Sequence, residues 1–283
     1  MKGIIALDID GTLTAQTHHL PENVIAHLTS LVREGWSIVF ITGRPYKWGQ
    51  STLSGLNFPY YLAVQNGAII LEMPSAHVLT RKYLDRSIFP GMDSVCKEEG
   101  TDFIIYGGYE YGDVCYYRPQ KLADPLRKYL ERRTKTLNEN WIAVESFNDI
   151  DLKAFPSIKC FGQYKEAIIL AEKIEKQVGL HVPLIRDPFD EQYYVAQATH
   201  PDVSKGQALK DLISLNGLHG PIIAAGDDLN DLTMLEAADC KVVMATAPEE
   251  ILRIADVVAP PAADEGIIIG LKQAIEKLSK GKK

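Results

Sequence analysis

Ala6-Leu7-Asp8-Ile9-Asp10-Gly11-Thr12-Leu13-Thr14 carries an apolar strand signal straight into two carboxylates. From Gly3 to Ile9 the run is short and apolar, the pattern of a parallel strand buried on both faces. Charges at the exit of such a strand are costly unless something positive meets them. Gly11 marks a bend that brings Asp8 and Asp10 to one pocket. The plainer reading is a turn that merely ends the strand, which Asp-Gly-Thr also does.

The surrounding sequence decides between the two. Val24, Ile25, Leu28, Leu31 and Val32 recur at helical spacing, with Pro21 suited to the first turn and Gly35 to the stop. Ser37 to Ile41 and Tyr60 to Val64 read as strands, and Gln65-Asn66-Gly67 as a turn into another strand, Ala68 to Leu71. Strand, helix, strand in this order is the grammar of a parallel α/β sheet. It returns near the C-terminus. A helix through Ala208, Leu212 and Leu215 stops at Gly217. A strand Pro221 to Ala225, a helix Asp231 to Ala238 and a strand Lys241 to Met244 follow. A helix from Pro248, a strand at Val257-Val258 and a last helix from Gly266 complete the series.

The middle differs. Tyrosines 106, 109, 111, 116 and 117 sit among short strands, with helical stretches from Asp124 to Lys135 and Glu166 to Gln177. The expected organisation is an α/β core formed by residues 1–82 and 199–283, with residues 83–198 inserted as an α+β domain.

Composition narrows the function. The chain has 283 residues, a net charge of −7 and 24% charged residues, which excludes whole-chain disorder and gives no electrostatic reason to bind nucleic acid. No apolar stretch approaches the length of a membrane span, and Asp8 cuts the first apolar run too early for a signal peptide. Cys96, Cys115, Cys160 and Cys240 are scattered and read as packing thiols, so a cytoplasmic location is expected. The pair His18-His19 reads as a solvated loop.

Three further clusters stand at strand exits or helix entries. Thr42-Gly43-Arg44 offers a hydroxyl, a backbone amide and a guanidinium, all suited to a phosphate. Lys205 opens a helix, where a cation is unfavourable against the dipole unless it serves an acid. Gly226-Asp227-Asp228-Leu229-Asn230-Asp231 gathers carboxylates after a buried strand. Each has a plain reading as a turn, a cap or a solvated side chain. Strand exits on the carboxyl edge of an open parallel sheet line one crevice, however, and that is where ligands bind. Asp8, Asp10 and Asp227 would converge there and repel one another. A hard divalent cation, most simply Mg²⁺, resolves that repulsion.

Asp8-x-Asp10-Gly11-Thr12, Thr42-Gly43-Arg44, Lys205-Gly206 and Gly226-Asp227-x-x-Asn230-Asp231 resemble, in order, the four motifs of the haloacid dehalogenase superfamily. The insert, with Asn66-Gly67-Ala68 just before it, resembles the Cof-type branch, subfamily IIB, with its C2B cap. After the fourth motif the chain runs through Ala245-Thr246-Ala247, where that branch usually has a Gly-Asn-Ala turn. The resemblance implies a Rossmann-like core and a phosphatase that acts on a small phosphorylated metabolite, a sugar phosphate first. It implies Asp8 as nucleophile, Asp10 as acid and base, and Lys205 as the catalytic cation. Thr42, Gly43 and Asn230, with Gly11 and Arg44, would contact phosphate or substrate. Asp8, the Asp10 carbonyl and Asp227 would hold Mg²⁺, with Asp231 orienting its waters or Lys205. Specificity would lie in the insert. A phosphomutase of the phosphomannomutase type and a non-catalytic protein that binds a phosphorylated metabolite are the alternatives.

Overall fold

The computed structural model describes residues 1–15, 19–137, 139–187, 189–190 and 192–280, so His18 of the histidine pair lies outside the described residues. β1 (Gly3–Leu7) is buried at all five positions inside an eight-stranded sheet. α1 (Glu22–Arg33) follows, entered at Pro21 and left at Gly35 (φ 98°). β2 (Trp36–Ile41) lies parallel to β1, with Gly3 opposite Trp36 and Leu7 opposite Phe40. After α2 (Tyr46–Thr52), β3 (Tyr60–Val64) lies parallel to β2.

β4 (Ile69–Met73) then runs antiparallel to β3, and β5 (His77–Arg81) antiparallel to β4. The reversal has a simple cause. The turn Gln65–Gly67 is three residues long, whereas a parallel return needs a crossover of a dozen or more. Edge strand β5 has no buried position, so it lacks the apolar pattern by which a strand is found in sequence.

The inserted unit contains β6 (Leu84–Asp85), α3 (Phe89–Glu98), β7 (Ile104–Tyr106), β8 (Cys115–Tyr117), α4 (Asp124–Leu137), β9 (Trp141–Ala143), β10 (Ala154–Phe155), β11 (Ser157–Gly162), α5 (Tyr164–Val178), β12 (Leu184–Arg186) and β13 (Tyr194–Ala198). Six strands form a sheet in the order β12-β13-β11-β7-β8-β9, and β6 pairs with β10. Alternate residues serve two apolar clusters. Ile105, Ile158 and Ala196 pack with Phe89, Met92, Leu170 and Ile174 of α3 and α5. Ile104, Tyr106, Phe161 and Val195 pack with Leu126, Tyr129 and Leu130 of α4. Helix α3 is hidden in the sequence by its Phe-Pro-Gly opening. Burial of Phe89, Met92, Val95 and Cys96 along one side holds it.

The chain returns through α6 (Lys205–Asn216), β14 (Ile222–Gly226), α7 (Leu232–Glu236), β15 (Cys240–Met244), α8 (Glu249–Leu252), β16 (Val257–Ala259) and α9 (Gly266–Lys280). The Ser204 side chain caps α6 by accepting from the Gln207 amide, and Gly217 ends it in the left-handed conformation. The large sheet has the order β16-β15-β14-β1-β2-β3-β4-β5, parallel from β16 to β3. Helix α7 is shorter than the expected 231–238: it starts after a tight 3₁₀ turn at Leu229–Asp231, and at its end the Ala237 and Ala238 amides donate to the Met234 and Leu235 carbonyls, three residues back.

Two compact units result, one of residues 1–44, 48–81 and 204–283, the other of residues 45–47 and 82–203. Residues 199–203 stay with the insert because Thr199 and His181 exchange backbone hydrogen bonds of 2.9 and 3.1 Å. All four cysteines are buried free thiols.

Candidate active site

β1, β2 and β14 are parallel neighbours, so the residues just past their ends share one edge of the sheet. Asp8 leaves β1 with its amide donating to the Ala225 carbonyl, 3.0 Å. The chain then folds into a tight turn in which Leu13 donates to the Ile9 carbonyl and Gly11 to the Thr14 carbonyl, each 3.0 Å. Gly11 has φ +72°, and a Cβ there would collide with the Asp227 carboxylate. The turn is thereby pressed against the β14 exit. Gly11, expected at the phosphate, has a packing reason of its own.

Lys205, the first residue of α6, is 2% exposed, and its Nζ lies 2.6 Å from Asp8 Oδ1 and 2.6 Å from Asp231 Oδ1. Burial alone would lower its pKa, but the two carboxylates outweigh burial and hold the ammonium protonated. Asp231 is fully engaged. Its other oxygen accepts from the amides of Asp227 and Asp228, 3.0 and 3.1 Å, which ties the loop after β14 into shape. Asp227 accepts from the Thr12 hydroxyl, 3.0 Å.

Asp8, Asp227 and Asp231 each offer a carboxylate oxygen within 4.8 Å of the others. Burial pushes Asp8 up to about 8, with Asp231 and Asp10 adding and Lys205 opposing. Asp227 is raised for the same reason, burial first and then Asp8 and Asp231. Three carboxylates around one ammonium leave excess negative charge in a water-poor place, which is unfavourable without a further cation. Asp8 Oδ2 and Asp227 Oδ2 carry no hydrogen bond among the described residues. An all-oxygen donor set with free lone pairs fits a hard divalent cation.

Asp10 and Arg44 differ from expectation. Arg44 is buried, and its Nε and Nη2 grip the two Asp10 oxygens at 2.7 and 2.5 Å. Its Nη1 donates to Thr52 Oγ1, 2.5 Å, and the guanidinium lies 4.1 Å over the Trp48 ring. A planar fork matches a carboxylate on its edge and an aromatic on its face, and Arg44 uses both here. The Asp10 carboxylate is correspondingly outside the group of three acids, which leaves its backbone carbonyl as the donor it can offer a metal. Thr42 is buried, its hydroxyl accepting from the Arg44 amide at 3.2 Å, with Gly43 between them. Asn230 Nδ2 lies 3.5 Å from Asn66 Oδ1.

Thr12, Trp48 and Thr52 were not singled out by sequence. Thr12 stands inside the first motif, while Trp48 and Thr52 follow Arg44 by four and eight residues, a spacing that puts them on one side of α2.

The family model for haloacid dehalogenase-like hydrolases matches residues 5–271. A phosphoglycolate phosphatase of Methanothermobacter thermautotrophicus is 36% identical over 267 residues, 93% of this chain and 94% of its own. Phosphatase YwpJ of Bacillus subtilis is 26% identical over 292 residues, 96% and 99% of the two chains. Among solved structures, the subclass IIB sugar phosphatase BT4131 superposes with a TM-score of 0.73 at 20% identity, covering 96% of this chain and 98% of that one.

Proposed function

The chain belongs to the haloacid dehalogenase-like hydrolase family as a phosphatase of its Cof-type branch, and we propose that it hydrolyses a small phosphomonoester, a sugar phosphate first, through an aspartyl-phosphate on Asp8 with Mg²⁺ bound. The observation that carries this reading is the buried arrangement of Asp8, Lys205 and Asp231 beside Asp227.

Asp8 Oδ attacks phosphorus, and the bond to the leaving oxygen breaks as that oxygen takes a proton from Asp10. Water then attacks the same phosphorus and gives a proton to Asp10 as the Asp8 Oδ–phosphorus bond breaks, which releases phosphate and restores the Asp8 carboxylate. Both Asp10 oxygens are held by Arg44, so Asp10 has to leave that fork to reach a leaving group. Lys205, fixed between two acids, offsets the repulsion between the Asp8 carboxylate and an incoming phosphate. Thr42, Gly43 and Asn230 supply hydrogen-bond donors for the phosphoryl oxygens. Asp8, Asp227 and the Asp10 carbonyl are the donors for Mg²⁺, which when bound supplies positive charge at the phosphoryl group.

The 36%-identical relative favours a second substrate, phosphoglycolate. A screen over sugar phosphates, phosphoglycolate, nucleotides and pyridoxal phosphate with Mg²⁺ tests both. Turnover of a sugar phosphate that EDTA abolishes and Mg²⁺ restores is the expected result. A preference for phosphoglycolate selects the second reading, and full activity in metal-free buffer removes the metal from the mechanism.

A further inference from the structure

Asn66 stands at the exit of β3, 1% exposed, with φ 57° and ψ 23°. Gln65 before it also has positive φ, 53°. A left-handed backbone is disfavoured for a residue with a side chain, less so for Asn than for Gln, and two such residues in a row persist only where the surroundings impose them. Here they do. The Gln65 amide donates to the Arg44 carbonyl at 3.0 Å, and the Asn66 amide to the Thr42 carbonyl at 2.8 Å. On its other side the turn lies against Ser204 and Ala208, next to the Lys205 that opens α6. This short turn therefore touches the segments that carry Thr42 and Lys205.

The turn accounts for a residue that tolerates the left-handed conformation, as Asn does, but not for burying its amide. Glycine takes the left-handed conformation at no steric cost and would bury no polar group. Asn66 Nδ2 is buried without a hydrogen-bond partner among the described residues, an expensive state for a donor. Among the described residues, the one side-chain hydrogen bond of Asn66 is accepted by its Oδ1, 3.5 Å from Nδ2 of Asn230. That distance is at the outer limit of hydrogen bonding, and hydrogen bonds of this kind in active sites often tighten only around substrate.

We propose that Asn66 is a positioning residue, whose Oδ1 anchors one amide hydrogen of Asn230 so that the other points at a phosphoryl oxygen. The inference rests on the phosphatase reading and on Asn230 contacting phosphate. An amide group is planar, so fixing one N–H fixes the direction of its twin. Through its own backbone Asn66 also ties that direction to the Thr42 loop, and two of the phosphate-binding segments are held in register by one residue.

A double-mutant cycle tests this, with wild type, Asn66→Gly, Asn230→Ala and the double variant. Binding of inorganic phosphate in Mg²⁺ is read by calorimetry, kcat and KM are read on the best substrate, and thermal melting monitors the fold. Asn66→Gly should keep or raise the melting temperature, since glycine relieves both costs. It should nevertheless weaken phosphate binding and raise KM about tenfold, the scale of one hydrogen bond. In the Asn230→Ala background the same substitution should change neither. Equal losses in both backgrounds, or unchanged phosphate affinity in Asn66→Gly, would overturn the proposal. A wild type that hydrolyses no phosphomonoester and binds no phosphate would overturn the phosphatase reading, and the inference with it.

Discussion

Asp8 shares Lys205 with Asp231, and this sharing makes its replacement informative. Asp8→Asn keeps the shape and removes one buried negative charge from a cluster that has too many, so the fold should survive with unchanged or higher thermal stability. Turnover should fall by at least about a thousandfold, because the amide is no nucleophile. Steady-state kinetics beside a melting curve check both halves. More than a few per cent of residual activity would rule Asp8 out as nucleophile. A second residue prediction concerns Lys159 on β11, which is 7% exposed with its Nζ 4.4 Å over the Tyr106 ring. Burial, reinforced by Arg133 and only partly offset by Glu139, lowers its pKa from 10.5 to about 8. Because the folded pKa lies below the unfolded one, charging Lys159 destabilises the fold fully below pH 8. That penalty fades between pH 8 and 10.5. Lys159→Met should therefore be more stable than wild type at pH 7 by an upper limit of roughly 3 kcal/mol, and the gap should close as pH rises to 10.5. Urea denaturation across that range checks it, and a pH-independent gap would contradict it.

At the scale of elements, α6 is where helix packing and chemistry meet. A glycine inside a helix is ordinarily improved by alanine, by about 0.5–1 kcal/mol. Gly206 reverses that sign. Its amide donates to Thr233 Oγ1 at 3.0 Å, and an added Cβ would collide with the Thr233 backbone carbonyl. Gly206→Ala must push the start of α6 away from α7, and Lys205 is the adjacent residue. The melting temperature should drop, and kcat/KM should fall by more than about tenfold as Lys205 moves from Asp8. A variant as stable and active as wild type would show that α6 has slack at this point. The loop between β2 and α2 has a comparable role, since Arg44 reaches forward to Thr52 and Trp48 while holding Asp10.

Across the whole molecule, each unit has a core of its own. Ile4, Val39, Leu209, Leu212, Met234 and Val243 belong to one, and Phe89, Phe103, Phe155 and Ile174 to the other. Every residue given a chemical role here belongs to the first unit. We assign the choice of substrate to the second. Replacing residues 82–203 by a short Gly/Ser linker should leave hydrolysis of p-nitrophenyl phosphate measurable. Discrimination among sugar phosphates, phosphoglycolate and nucleotides should collapse. A substrate profile of the folded truncation against the full chain checks this, and an unchanged order of preference would return specificity to the first unit.

The sequence by itself determined the parallel α/β core, because buried strands and amphipathic helices write their periods locally. Gly3 to Leu7, Tyr60 to Val64 and the helix ending at Gly217 are visible without any partner. It also marked Asp8, Thr42, Lys205 and Asp227, since polar residues at the ends of apolar strands are locally anomalous. Edge strand β5 and helix α3 left no such signal, because one is largely solvated and the other opens with two helix breakers. Only the tertiary structure decided which charges meet. Asp8 and Asp10 are two residues apart, yet one faces a lysine 197 positions away and the other an arginine 34 positions away. Spacing along the chain records where a side chain starts. Its partner is chosen by shape, charge and burial in the folded protein, where bidentate geometry draws Arg44 to Asp10, and Asp8 and Asp231 close on Lys205.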